Sequence, residues 1–252
     1  MSLFKKLFSQ KEKPLPEPIS YADVVVDMHS HFIPGIDDGA PTVEASLELL
    51  KAMHDFGYKK VITTPHVYTD LYKNTPETIL GGLAAVKEAL KQQDWSIEIE
   101  AAAEYFLDEH TENLIEKKEL LTFGNNYVLF EISFAAEPAN LGRGIFNMHL
   151  QGYKPIIAHP ERYDYWHGNM SKYESLMDKE VLIQININCL TGQYGPGAKK
   201  TCENLIDAGM VSFIGSDCHH PGHINLMEAA RTQPYLKKII ESGKLLNASL
   251  LQ

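Results

Sequence analysis

From residue 21 onward, short runs of apolar and β-branched residues alternate with longer amphipathic stretches, the rhythm of βα units around a parallel sheet or barrel. The pattern predicts strands over Val24–Met28, Lys60–Thr64, Ile97–Ala103, Tyr127–Phe130, Pro155–Ala158, Leu182–Ile187 and Val211–Gly215. Between them, a helix is expected from near Thr42, with Leu49, Leu50, Met53 and Phe56 on one face and Gly57 as its stop. A second has Thr75 as N-cap and Pro76 behind it, with Ile79, Leu83, Val86 and Leu90 on its apolar side. A third covers Lys199–Ala208 and is closed by Gly209.

Residues 1–20 do not follow this rhythm. Met1-Ser-Leu-Phe-Lys-Lys-Leu-Phe alternates apolar and basic residues, and Lys13-Pro-Leu-Pro-Glu-Pro reads as an extended linker. The expectation is a flexible segment over 1–20, capable at most of peripheral membrane contact, followed by one domain over 21–252. The chain has 252 residues, 44% hydrophobic and 22% charged, enough to bury a substantial core without covalent staples. Its net charge is −10, with arginine only at 143, 162 and 231, so the basic face that nucleic-acid binding requires is missing. The cysteines, Cys189, Cys202 and Cys218, form no C-x-x-C and follow no signal peptide, which points to a reducing cytoplasm.

Chemistry collects where the predicted strands end. The first runs into His29 and His31, the second into His66, the third into Glu104, the fourth into Glu131, the fifth into His159 and the seventh into Asp217 and His219. One such ending is an ordinary loop residue. Six endings of seven in His, Asp or Glu are poorly explained that way, because the strand ends of an α/β barrel converge on one mouth. His29-Ser-His31 and Asp217-Cys-His219 place two ligand-type side chains on one side of an extended backbone. Imidazoles mixed with carboxylates favour Mn, Fe, Co or Zn over Ca or Mg.

Asp27-Met-His29-Ser-His31, Thr64-Pro-His66, Glu104, Glu131, His159-Pro-Glu-Arg162 and Ser216-Asp217-Cys-His219 resemble, in order, the motifs of the PHP (polymerase and histidinol phosphatase) superfamily. The runs His31-Phe-Ile-Pro-Gly-Ile-Asp37-Asp38-Gly39 and His159-Pro-Glu-Arg162-Tyr163 further resemble the bacterial tyrosine phosphatases of capsule and exopolysaccharide systems. The resemblance implies an α/β fold, a distorted seven-stranded (β/α) barrel of the PHP type, with two or three divalent transition-metal ions, Mn foremost. It implies His29, His31, Glu104 and Asp217 on a first ion; Glu104, Glu131 and His159 on a second; and Asp38, His66 and His219 on a third. Asp37 is expected to cap the Asp-Asp-Gly turn. Glu104, Arg162 and His219 are the expected catalytic residues, with Arg162 clamping the phosphoryl group. The implied activity is metal-dependent hydrolysis of phosphotyrosine in a protein, a bacterial tyrosine kinase of capsule or exopolysaccharide synthesis. Alternatives are a small-molecule phosphomonoesterase such as a histidinol phosphatase, or a non-catalytic metal-binding regulatory subunit.

Three further expectations come from the residues. A cysteine-based tyrosine phosphatase needs Cys-x5-Arg, and six residues after the cysteines stand Gly195, Ala208 and Ile224, which excludes that class. Tyr68, Tyr72, Phe106, Tyr163 and Tyr165 follow strand ends, where a phenol ring could lie. The related phosphatases carry a second arginine shortly after Asp-x-His, but here His220-Pro-Gly-His223 follows instead. His220 or His223 is expected to take over part of that anion contact, His223 before His220 because Pro221-Gly222 can turn the chain back toward the mouth, with a charge that fades as pH rises past about 6.5.

Overall fold

The computed structural model describes residues 17–252. Residues 1–16 of the N-terminal segment lie outside the described residues. Beyond them the chain is tied down at Ile19, whose N–H donates to the Arg231 carbonyl (3.0 Å) and whose carbonyl accepts from Arg231 Nε (2.7 Å).

The described residues form nine short strands, all paired in parallel, and eight α-helices. One sheet joins β1 (Val26–Asp27), β2 (Lys60–Thr63) and β4 (Glu98–Ala101). The other runs in the order β3 (His66–Val67), β5 (Glu104–Phe106), β6 (Tyr127–Glu131), β7 (Lys154–Ile157), β8 (Leu182–Asn186) and β9 (Phe213–Gly215). The expected count of seven strands is therefore corrected. The second and third predicted strands end at Thr63 and Ala101, and after Thr64-Pro65 and Ala102-Ala103 the chain pairs again as β3 and β5, so that His66 and Glu104 open new strands rather than following old ones. Proline has no N–H for a ladder, and that is the physical reason for the first break. The backbone still bonds across both gaps, from Ala102 N–H to Thr63 O (2.9 Å) and from Glu104 N–H to Pro65 O (3.1 Å).

The sheet curls until its first and last strands meet. There Ser30 and Cys218 form an isolated parallel bridge, and His31 N–H donates to Cys218 O at 3.0 Å. Side chains complete the junction. Asp27 accepts from the Ser216 N–H and hydroxyl, both at 2.8 Å. Asn247 donates to Val26 O (3.0 Å) and Ile214 O (2.8 Å) and accepts from Ile214 N–H (3.1 Å).

Helices α1 (Val43–Asp55), α2 (Pro76–Leu90) and α6 (Gly195–Ala208) correspond to the three predicted. Thr42 and Thr75 cap the first two by accepting from Ala45 and Thr78 N–H, and Gly209, at φ +68°, ends the third. Five were not predicted: α3 (Glu109–Lys117), α4 (Leu141–Leu150), α5 (Met170–Met177), α7 (Pro221–Ala230) and α8 (Pro234–Glu241). Apolar side chains alternate along the strands between two clusters. Val128, Phe130 and Ile157 pack outward with Leu49, Val86 and Ile145 of the helices, whereas Val26, Ile62, Leu129, Ile156 and Phe213 fill the concave side. Each contributes about 1.5–3 kcal/mol by leaving water.

Candidate metal centre

The strand ends and the two breaks deliver their polar side chains to one place. Four overlapping groups of ligand atoms, each group within 4.8 Å, comprise His29 with His31 and Glu104; His29 with His159 and Asp217; His66 with Glu104 and Glu131; and His31 with Asp38, His66 and His219. All nine predicted ligand residues are brought together. Their partition differs from the expected one in three respects. His66 groups with Glu104 and Glu131 as well as with Asp38, His159 groups with His29 and Asp217, and His31 also joins Asp38, His66 and His219. His159 Nε2 nonetheless lies 2.8 Å from Glu104 Oε1 and 4.0 Å from Glu131 Oε2.

Glu104, fully buried, is the hub, with Oε2 3.1 Å from His66 Nδ1 and 3.2 Å from His29 Nε2. The rings of His29 and His31 are oriented from behind. Nδ1 of His29 lies 3.0 Å from Gln184 Oε1, and Nδ1 of His31 lies 2.8 Å from Asp37 Oδ2. Those acceptors require Nδ1–H, which leaves two Nε2 lone pairs facing each other at 3.3 Å. Only a cation between them removes that repulsion, and a donor set of imidazoles and carboxylates suits a divalent transition ion. In the ion-free chain a proton does the same. Burial opposes charge on His29, but Glu104 and Asp217 outweigh it and raise the imidazole to about 9. Burial likewise opposes charge on His66, and Glu104 and Glu131 raise it to about 10.

The Asp-Asp-Gly turn divides its two carboxylates. Asp37 is consumed inside the protein by His31, by Gly39 N–H (3.0 Å) and by His66 N–H (3.2 Å). Asp38 points outward, its Oδ1 3.6 Å from His66 Nε2 and 3.5 Å from His219 Nε2. The turn can close this tightly only with glycine, since a Cβ on Gly39 would stand 2.1 Å from the His31 carbonyl oxygen.

Above the carboxylates lies a cavity of about 550 Å³. Arg162 lines it, its Nη1 donating to Asp217 Oδ2 (3.1 Å) and its guanidinium lying 4.7 Å from the Phe134 ring and 4.5 Å from the Tyr194 ring. The same Asp217 oxygen accepts from Asn186 Nδ2 at 2.6 Å, while Oδ1 faces His29 and His31 at 3.4 Å. Arg143 and Arg231 are engaged elsewhere, with Glu112 and Glu228.

Of the aromatic residues expected at the mouth, Tyr68, Tyr72 and Phe106 line the cavity. Tyr163 and Tyr165 do not. They brace the loop after β6 through Ile132 N–H and the Ser133 carbonyl. Phe134, Leu71 and Tyr194 line the cavity without having been predicted, because nothing in their local spacing separates them from ordinary loop residues.

His223 also lines the cavity, but the charge expected of it is corrected. Pro221 does not fold the chain back; it starts α7, capped by His220 Nδ1 accepting from Gly222 N–H (3.1 Å). Helix entry tucks His223 Nδ1 within 3.2 Å of His219 N and 2.9 Å of Asp217 O, and burial, with His220 adding to it, lowers the imidazole to about 4. It is neutral across the physiological range, so the predicted fading of charge above pH 6 has no basis. The cysteine route is closed by geometry as well: all three thiols are buried, and burial holds Cys202 and Cys218 well above the ordinary thiol range.

A curled parallel α/β sheet with His, Asp and Glu gathered at one mouth, and Arg162 beside them, defines the class of proteins with a candidate metal centre at the strand ends. The chain belongs to the CpsB/CapC family of capsular polysaccharide synthesis, whose model matches residues 25–242. Among curated proteins it is 29% identical over 197 residues to tyrosine-protein phosphatase YwqE of Bacillus subtilis, spanning 78% of each chain. It is 27% identical over 202 residues to tyrosine-protein phosphatase CpsB of Streptococcus pneumoniae, spanning 78% of this chain and 83% of that one. A solved structure from work on YwqE and CpsB, described as unique metal-dependent tyrosine phosphatases, superimposes with a TM-score of 0.79 at 28% identity, covering 90% of this chain and 91% of its own.

Proposed function

We propose that this protein is a metal-dependent protein-tyrosine phosphatase acting on a phosphotyrosine-bearing protein, a bacterial tyrosine kinase of capsule or exopolysaccharide synthesis. The observation that carries the reading is the placement of Arg162 over the convergent carboxylates and imidazoles within one cavity, in a chain of this family. His29, His31, Glu104 and Asp217 would hold one ion, Glu104, Glu131 and His159 a second, and Asp38, His66 and His219 a third. Mn is the ion expected here, with Fe, Zn or Co also suited to a donor set of imidazoles and carboxylates. Such ions supply an activated water and neutralise phosphoryl oxygens. The chain's own residues do the rest. Arg162 binds the remaining phosphoryl oxygens through a planar pair of N–H donors, held in place by Asp217 and its two flanking rings. Glu104, which belongs to two of the ligand groups, would contribute to holding more than one ion. His223 offers a neutral contact rather than a charge. A phenolate, with a pKa near ~10, leaves without strong general-acid help.

The strand breaks fit the same picture if β2 with β3 and β4 with β5 each act as one stave, making a distorted seven-stranded barrel over residues 21–252. Among the described residues no helix is long and apolar enough to cross a membrane. Three free cysteines suit a reducing cytoplasm. The deciding experiment compares a phosphotyrosine peptide with histidinol phosphate under defined metals. Faster turnover of the peptide is expected; preference for histidinol phosphate would move the protein to small-molecule chemistry, and turnover of neither would leave a metal-binding subunit.

A further inference from the structure

Phe134 is a large apolar side chain that remains 44% exposed at the lip of an otherwise polar centre. Its loop is not slack. Ile132 N–H donates to Tyr163 Oη (3.1 Å), Tyr165 Oη donates to Ser133 O (2.6 Å), and Trp166 Nε1 donates to Glu137 Oε2 (2.8 Å), which Lys172 also meets. The ring is thereby held 5.8 Å from the His159 ring at 20° and 4.7 Å from the Arg162 guanidinium. Across the cavity, Tyr68 stacks on Phe106 at 4.1 Å and Tyr72 on His66 at 5.4 Å, neither of them beside Arg162.

We infer that Phe134 is a specificity-determining residue, the platform on which the phenyl ring of an aryl phosphate rests while Arg162 holds the phosphoryl group beside it. This rests on the phosphatase reading and names what that site selects. An ester oxygen joins phosphate to ring directly in phosphotyrosine, so a ring gripped next to the anion clamp lies at the distance the substrate demands. A phosphoserine methylene has no flat face to offer and gains nothing there.

The test uses the full chain loaded with Mn, hydrolysing a phosphotyrosine peptide, with phenylphosphonate and methylphosphonate as competing inhibitors. Wild type should bind phenylphosphonate more tightly. Phe134→Ala should weaken phenylphosphonate about three- to ten-fold more than methylphosphonate, the loss of one ring–ring contact. Tyr194→Leu, which removes the other flank of Arg162 together with the hydroxyl that accepts from Asn186 (3.3 Å), should weaken both inhibitors by the same factor. The partial exposure of Phe134 leaves the fold intact in the variant, checked by circular dichroism. An unchanged inhibitor ratio in Phe134→Ala would mean that the ring acts only through Arg162, and the inference falls while the phosphatase reading stands. A wild type unable to hydrolyse the peptide at all would take both down together.

Discussion

Glu104 and Cys218 have opposite weight at the site. Glu104 contacts three imidazoles through two oxygens, whereas the Cys218 thiol is buried and its nearest polar contact is the His220 carbonyl at 3.8 Å. Glu104→Gln keeps the shape but halves the charge-bearing oxygens, so kcat should fall by more than the roughly 10–100-fold typical of residues that merely orient a ligand. Cys218→Ser should keep most activity. Phosphotyrosine turnover in the two variants, at saturating Mn, checks this; a Cys218→Ser protein as inactive as Glu104→Gln would restore a thiol mechanism. Which residues carry metal chemistry was legible because His-x-His and Asp-x-His declare themselves by spacing. The division between Asp37 and Asp38 was not, since adjacent carboxylates differ only in which one the turn points inward.

At the level of elements, the junction between β1 and β9 is the weak seam, because only one backbone bridge joins them. Asn247, in a C-terminal turn with no periodic signal, closes it with three buried hydrogen bonds. Asn247→Ala should cost about 2–4 kcal/mol, since backbone groups on both strands lose their partner inside the core. Because β1 leads to His29 and His31 and β9 to Asp217, Mn affinity should drop in the same variant. Urea denaturation and metal titration read the two effects, and a variant of wild-type stability would show that the seam is held elsewhere. The helices tell a parallel story. Caps at Thr42 and Thr75 made α1 and α2 readable, while α3 and α5, at nine and eight residues, are too short to present a clear apolar stripe.

Across the whole molecule, the net charge of −10 coexists with a site whose substrate is an anion, and bound cations reconcile the two. Removing metal should abolish phosphatase activity, with Mn restoring it at least as well as Mg. Metal must also displace protons: His29 and His66, raised to about 9 and 10 in the ion-free chain, are protonated at pH 7. Raised imidazole values favour the proton, so Mn affinity should climb as pH rises from about 6 to 8, with protons released on binding. Calorimetry in buffers of different ionisation enthalpy measures that release, and a buffer-independent, pH-independent affinity would refute it.

The sequence by itself determined the strand-and-helix alternation and the eight ligand-type residues at the predicted strand ends, because hydrophobic period and motif spacing are local properties. Asp38 as a ligand and Arg162 as the expected anion clamp came from the family resemblance. Tertiary structure decided what depends on meetings between distant segments. A further strand opens at His66 just past Pro65, and helix entry at Pro221 neutralised His223. Asn247 closed the curl, and Phe134 was held against Arg162 by a turn some thirty residues away. No local pattern encodes those outcomes, since each arises from burial and from partners that the chain brings together only on folding.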